Sequence, residues 1–232
     1  MRLEKWENLP KEMQNNKVRP YYQRLKKRGF SLAIKRGIDV ICSLILVVIL
    51  SPIMVALAVA IKIDSPGPVF FRQTRITQYG RAYRIFKFRT MVIDADKKGP
   101  AVTTSGDSRI TRMGNLLRKC RLDELPQLFN VLTGDMSFVG TRPEVKKYVD
   151  AYTEEMWATL LLPAGITSKT SIVYKDEDDV MEKYISQGEN VDDVYIKRIL
   201  PDKMRYNLDY LKKFSAFGDI KIMFETVLAV LS

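Results

Sequence analysis

Histidine is absent from all 232 residues. Its absence removes the commonest general base, the Ser-His and Cys-His nucleophile pairs, and most transition-metal sites. Catalysis by this chain would have to use carboxylates, Lys, Arg, Tyr or a hard metal ion. Cysteine is scarce as well. Cys42 lies in an apolar run and Cys120 in a basic stretch, so the two form no disulfide framework, and a reduced, cytoplasm-facing chain is expected. No internal repeat and no low-complexity segment occurs. Negative charge is also in deficit: 27 Asp+Glu stand against 38 Lys+Arg, leaving a net +11. Such an excess suggests an anionic partner, whether nucleic acid, an acidic membrane surface or phosphorylated substrates, and charge alone does not choose among them. The length suits one domain of ordinary size plus an appendage.

From Val40 to Ile61 the chain is almost wholly apolar, over about the length needed to cross a bilayer core. A membrane helix is the simplest reading. The run is too long and starts too late for a cleaved signal peptide, and it has no polar face for a buried soluble helix. Ser51-Pro52 falls near its middle. Proline removes a backbone hydrogen bond and costs a helix about 3 kcal/mol or more in water, while a neighbouring serine can satisfy the freed carbonyl. A bent helix follows. Cations flank both ends: Arg24, Lys26, Lys27, Arg28, Lys35 and Arg36 before, Lys62, Arg72, Arg75, Arg81 and Arg84 after. That symmetry is a poor signal for a single crossing, and a helix that bends at Ser51-Pro52 and returns to the same face satisfies both flanks. A straight span with an ordinary kink is the alternative.

The expected organisation is a basic, partly aromatic extension over residues 1–34, a membrane helix over 35–63 and a soluble domain over 64–232. The extension either lies along anionic headgroups or is a solvated tail. The turn cluster Asp64-Ser65-Pro66-Gly67-Pro68 marks a boundary. Short strands are expected over 69–73 and 83–89, and helical periodicity runs from about Arg109 through Leu132 with a break near Arg121-Leu122. The fold class is α+β, mostly helical. Asp107 reads as a helix cap before Arg109 and Arg112. The C-terminal stretch 217–231 either rests on a membrane or packs in the core, and core packing is the expected arrangement. Lys87 and Arg89 share one face of a strand, which on an edge strand is ordinary.

Arg118-Lys-Cys-Arg-Leu-Asp123-Glu124-Leu-Pro126-Gln127 sets two adjacent carboxylates between arginines at a helix start. Alone, such a pair is usually an N-cap with a favourable dipole contact. Three local features favour phosphate chemistry instead. Arg118, Arg121 and Arg142 offer forks to phosphate oxygens, and a helix start adds its N–H groups. Successive helical residues point about 100° apart, so one carboxylate can face phosphorus while its neighbour holds a metal. Pro126 fits the first turn, where its missing N–H costs nothing.

In fixed order the chain carries Lys35-Arg36-Gly37-Ile38-Asp39, the proline-broken apolar run, SPGPVFF-R-Q, KFRTM, D-x-RITRMG, LDELPQLFNVL, GDMS and Gly140-Thr141-Arg142-Pro143-Glu144. This series resembles the bacterial sugar transferases, the monotopic polyprenyl-phosphate phosphoglycosyl transferases, over roughly Lys35 to Glu144. Thr141 stands where that family usually has proline. Beyond Glu144 the likeness thins to Pro163-Ala164-Gly165-Ile166-Thr167, a PGIT element with an inserted alanine, and sugar identity is least legible there.

The resemblance implies a small catalytic domain on a re-entrant, proline-kinked helix (Ser51, Pro52) at the bacterial inner membrane, with the domain facing the cytoplasm. It further implies transfer of a sugar phosphate from a UDP-sugar to polyprenyl phosphate with release of UMP, as the first membrane step of glycan assembly. Asp123 would be the nucleophile, forming an aspartyl-phosphosugar, and Glu124, with Asp123, would bind Mg²⁺. Arg118 and Arg142 would hold phosphate oxygens, with Lys87, Arg89 and Gln127 completing the substrate-binding set. Membrane lipids are implied partners, a homodimer is compatible, and nucleic acid is not expected. Two rivals remain. A membrane-tethered nucleic-acid-binding module would show DNA affinity that survives moderate salt, and a scaffold without catalysis would release no UMP from any UDP-sugar.

Overall fold

A computed structural model describes residues 1–95, 107–174, 181, 184 and 189–231. After two short 3-10 turns come α1 (Arg19–Lys26) and α2 (Gly29–Asp64), then β1 (Phe70–Ile76), β2 (Ala82–Phe88), α3 (Arg112–Lys119) and α4 (Gln127–Thr133). They are followed by β3 (Met136–Val139), α5 (Lys146–Val149), β4 (Ala164–Thr167) and α6 (Lys169–Val173). The chain closes with α7 (Val191–Val194), a π-turn (Tyr195–Ile199), α8 (Leu200–Lys213) and α9 (Ala216–Leu231). The fold is mostly helical α+β, as expected. β1 and β2 form an antiparallel ribbon with Phe71 opposite Lys87 and Arg75 opposite Tyr83. β3 and β4 pair in parallel, Met136 beside Ala164 and Val139 beside Thr167.

Residues 1–34, expected as an extension beside the domain, are folded into its core. Leu9, Met13, Val18, Tyr21, Tyr22 and Leu25 are buried in one cluster with Leu160–Leu162, Leu211 and Phe214. Apolar side chains in this otherwise basic segment gain more from that burial than from a solvated tail.

α2 has 36 residues, about 54 Å at 1.5 Å per residue. Only 11% of its most apolar stretch is buried, so it is not the core helix of a soluble protein. Its first third is docked by polar groups spaced four residues apart on one face. Lys35 donates to Val139 O and Asp219 Oδ2, both at 2.6 Å. Asp39 Oδ1 accepts from Ser137 Oγ and Phe138 N, both at 3.0 Å. Arg36 reaches Val131 O and Leu132 O at the end of α4, where a cation is favoured by the helix dipole. The far end is docked too: Met54 and Ile61 are buried with Phe88 and Leu117, and Met113 N donates to Asp64 Oδ2. At the middle, Ser51 Oγ donates to Val48 O at 2.8 Å, the carbonyl that Pro52 lacks an N–H to satisfy.

α9 divides its faces. Ala216 and Asp219 are buried and Ile222 and Met223 pack on the core. Phe217 (83% exposed), Phe224, Val227 and Leu228 face outward. The expectation of core packing therefore holds for one side of the helix only.

Candidate active site

Two local devices bring α3 and the following turn against the ribbon. Thr111 caps α3, its Oγ1 accepting from Gly114 N at 3.0 Å, while Asp107, expected as the cap, pairs with Arg109 instead. A Cβ on Gly114 would stand 2.0 Å from Thr90 O, so glycine there permits the close approach that lets Arg118 Nε donate to Thr90 Oγ1 at 3.0 Å. Arg121 then takes a left-handed conformation (φ 56°) and a 3-10 turn, Leu122–Glu124, follows. Asp123 and Glu124 thus sit in a tight turn ahead of α4, whose N-cap is Pro126. Asp123 makes no side-chain cap to that helix, so the N-cap reading of the dyad is corrected.

Asn130 fixes α4 to the ribbon. Its Oδ1 accepts from Phe86 N and its Nδ2 donates to Arg84 O, so one amide side chain satisfies the outer edge of β2 as a neighbouring strand would. With α4 so held, Glu124 Oε1 meets Lys87 Nζ at 2.7 Å. Sequence reasoning missed Asn130. A polar residue on an otherwise apolar helix face was the available signal.

The dyad's two carboxyls are driven in opposite directions. Burial raises the Asp123 pKa above the usual aspartate value; Lys87 opposes this and Glu124 adds to it. Burial also pushes Glu124 up, but the charges of Lys87 and Arg142 and the Lys87 hydrogen bond outweigh it and hold Glu124 at about 2. Two adjacent acids with separated affinities for protons suit two different roles.

Asp123, Glu124, Lys87, Arg118 and Arg142 all line one cavity of about 1040 Å³. Gln127 is buried in the first turn of α4 and is not among the residues that line the cavity. Arg89 also lines the cavity, while its terminal nitrogens donate to Ser65 O, Ser65 Oγ and Pro66 O, all within 2.8 Å, and so clamp the turn after α2. Apolar side chains share the lining: Leu46 and Leu50 from α2, with Phe138, Ile166 and Ala229. Among the described residues no cluster of three or more metal-ligating side chains occurs. The adjacent carboxylates suit Mg²⁺, which commonly takes one or two protein carboxylates and draws its other ligands from bound phosphate and water.

Sequence reasoning also missed Glu144, Tyr195 and Lys203, which line the same cavity and meet one another. Tyr195 OH donates to Glu144 Oε1 and Lys203 Nζ to Tyr195 OH, both at 2.7 Å. Thr141 needs no proline to be held: it is buried, and its Oγ1 donates to Thr159 O.

The family described as "Bacterial sugar transferase" matches residues 30–232. The chain is 38% identical over 203 residues to a UDP-N-acetylgalactosamine-undecaprenyl-phosphate N-acetylgalactosaminephosphotransferase of Aeromonas hydrophila, covering 86% of this chain and 44% of that protein. It is 34% identical over 220 residues to a UDP-glucose:undecaprenyl-phosphate glucose-1-phosphate transferase of Escherichia coli K12, covering 93% and 44%. A protein of that same description from Caulobacter vibrioides is 35% identical over 201 residues, covering 85% and 70%. The chain thus spans less than half the length of the first two of these relatives.

Proposed function

Given that the chain belongs to the bacterial sugar transferase family, we propose that it moves a sugar-1-phosphate from a UDP-sugar to polyprenyl phosphate at a membrane surface. The observation that carries this reading is the cavity itself. Its lining combines a buried carboxylate among cations with apolar side chains, two of them, Leu46 and Leu50, from the membrane-type helix α2. A nucleotide-linked phosphate and a lipid-linked phosphate need such a mixed lining to meet.

In the proposed reaction, an Asp123 carboxylate oxygen attacks the sugar-bearing phosphorus. The bond to the bridging oxygen breaks, and UMP leaves with that electron pair. A phosphate oxygen of the lipid then attacks the same phosphorus and displaces Asp123, leaving a polyprenyl diphosphate sugar. Dividing one displacement into two is the usual gain of covalent catalysis. Burial favours the nucleophile, because Asp123 is poorly hydrated, and Lys87 opposes its protonation. Arg118 and Arg142 are assigned to phosphate oxygens. Mg²⁺, held by Glu124 and Asp123, would neutralise charge on the diphosphate.

The same reading makes the protein monotopic, with the domain at the cytoplasmic face of the inner membrane. The two docked ends of α2 support this, since a helix whose start and finish both contact one water-soluble domain is poorly placed to cross a bilayer. The bare apolar residues of α2 and α9 supply the surface for lipid.

The test is a screen of UDP-sugars with polyprenyl phosphate and Mg²⁺ for UMP release, run beside Asp123→Asn. Wild-type protein should release UMP from at least one UDP-sugar and retain label from the sugar phosphate. Asp123→Asn should lose both, and substantial turnover by that variant would rule Asp123 out as nucleophile.

A further inference from the structure

The cavity face of the ribbon carries a cation that the reaction above does not use. Along β1, alternate residues Phe71, Gln73 and Arg75 share one face, and all three line the cavity. Lys87, beside the dyad, stands opposite Phe71, and Tyr83 stands opposite Arg75. Arg75 therefore lies four ladder positions from the Lys87 level, about 13 Å along the strand.

Arg75 is held by neutral acceptors. Its Nε donates to Gln73 Oε1 at 3.0 Å and its Nη1 to Pro143 O at 3.2 Å. Its Nη2 has no hydrogen bond, and Arg75 forms no ion pair, among the described residues. The carboxylate whose charge it feels, Glu144, is engaged by Tyr195 and Lys203. Burial lowers the Arg75 pKa, Glu144 opposes that, and the like charge of Arg142 adds to it. A desolvated guanidinium beside a second one, aimed into a cavity, is costly until an anion joins it. The fork of Arg75 is already oriented by Gln73 and by the Pro143 carbonyl, so little freedom is lost on binding.

We infer that Arg75, with Arg142, forms an anion subsite for a substrate phosphate in this cavity, Arg75 entering from the β1 position four rungs from Lys87. The inference rests on the proposed function for its ligand class: a phosphate ester or diphosphate, supplied either by the nucleotide or by the lipid. Gln73 is a positioning residue for it.

Binding to the purified chain separates the two sources. UMP and inorganic pyrophosphate serve as probes for the nucleotide, and polyprenyl phosphate in detergent micelles serves as the probe for the lipid. Affinity is read from the rise in unfolding midpoint across a titration. Arg75→Gln should weaken binding by about tenfold on at least one arm, and Arg75→Lys should recover part of it, because lysine keeps the charge and loses the fork. Loss confined to UMP and pyrophosphate assigns the subsite to the nucleotide; loss confined to the lipid assigns it there. Affinities within about twofold of wild type on both arms overturn the inference. If Arg75→Gln does not fold, Arg75→Lys decides: weakening of about threefold or more on either arm supports the subsite, and full retention overturns it. Because the readout is binding, a wild-type protein that binds these probes yet releases no UMP from any UDP-sugar refutes the proposed function separately.

Discussion

Glu144 shows how a single buried residue ties the site to stability. Burial alone would raise its pKa, but Lys203, the Tyr195 hydrogen bond, Arg75 and Arg142 hold it below its usual 4.5. A depressed folded value means that the ionised form is favoured by folding. The associated stability is fully present above about pH 4.5 and is lost as the pH falls through the lower folded value. Unfolding midpoints measured at descending pH should therefore drop for the wild type in that acid window, and the drop should be shallower for Glu144→Gln. Parallel curves for the two proteins would mean that Glu144 carries no such linkage. At this scale the sequence is legible where chemistry is crowded into one motif: Asp123, Glu124, Lys87, Arg118 and Arg142 line one cavity. Arg75, Glu144, Tyr195 and Lys203 were not legible, because their meaning comes from contacts such as Tyr195 with Glu144, 51 residues apart. The break near Arg121-Leu122 was legible, but the shape of the dyad's turn was not. Arg121 at positive φ ends the helical path, and no glycine marks the position in advance.

Among the elements, the ribbon was readable because its residues are β-prone and bounded by turn residues. β3 was not, because all four of its residues are buried and a short wholly buried strand shows no alternation. α2 was readable as an apolar helix with Ser51 compensating Pro52, but its polar attachments through Lys35, Arg36 and Asp39 were not. Those attachments bear on topology. With residues before α2 buried in the same core as Leu160–Leu162, and Asp64 at its end bonded to α3, both flanks should be on one side of the membrane. In a background where Cys42 and Cys120 are replaced by serine, Glu7→Cys and Lys146→Cys report the two sides; both positions are exposed. A membrane-impermeant maleimide should label neither in intact cells and both in inverted vesicles. Labelling of Glu7→Cys alone in intact cells would establish a helix that crosses, and would sink the monotopic reading.

Over the whole molecule, one buried ion pair joins the membrane-type helix to the rest of the fold. Lys35 Nζ and Asp219 Oδ2 are 2.6 Å apart, with side-chain exposures of 3% and 9%. Tyr210 OH donates to the other Asp219 oxygen at 3.0 Å, and Lys35 also reaches Val139 O. The contact thus links α2, β3, α8 and α9, and β3 leads directly into the loop that carries Arg142. Removing one partner leaves a charge stranded in the interior, which costs roughly 3–5 kcal/mol, whereas replacing both by apolar groups of similar volume is often neutral. Asp219→Asn should therefore lower the unfolding midpoint of the detergent-solubilised protein and reduce UMP release with it. Lys35→Met combined with Asp219→Leu should recover most of the lost stability. If Asp219→Asn is as stable as the wild type, the pair is not what binds α2 to the domain. If the double variant regains stability but not UMP release, the charges themselves, and not only the packing they hold, set the geometry of the Arg142 loop.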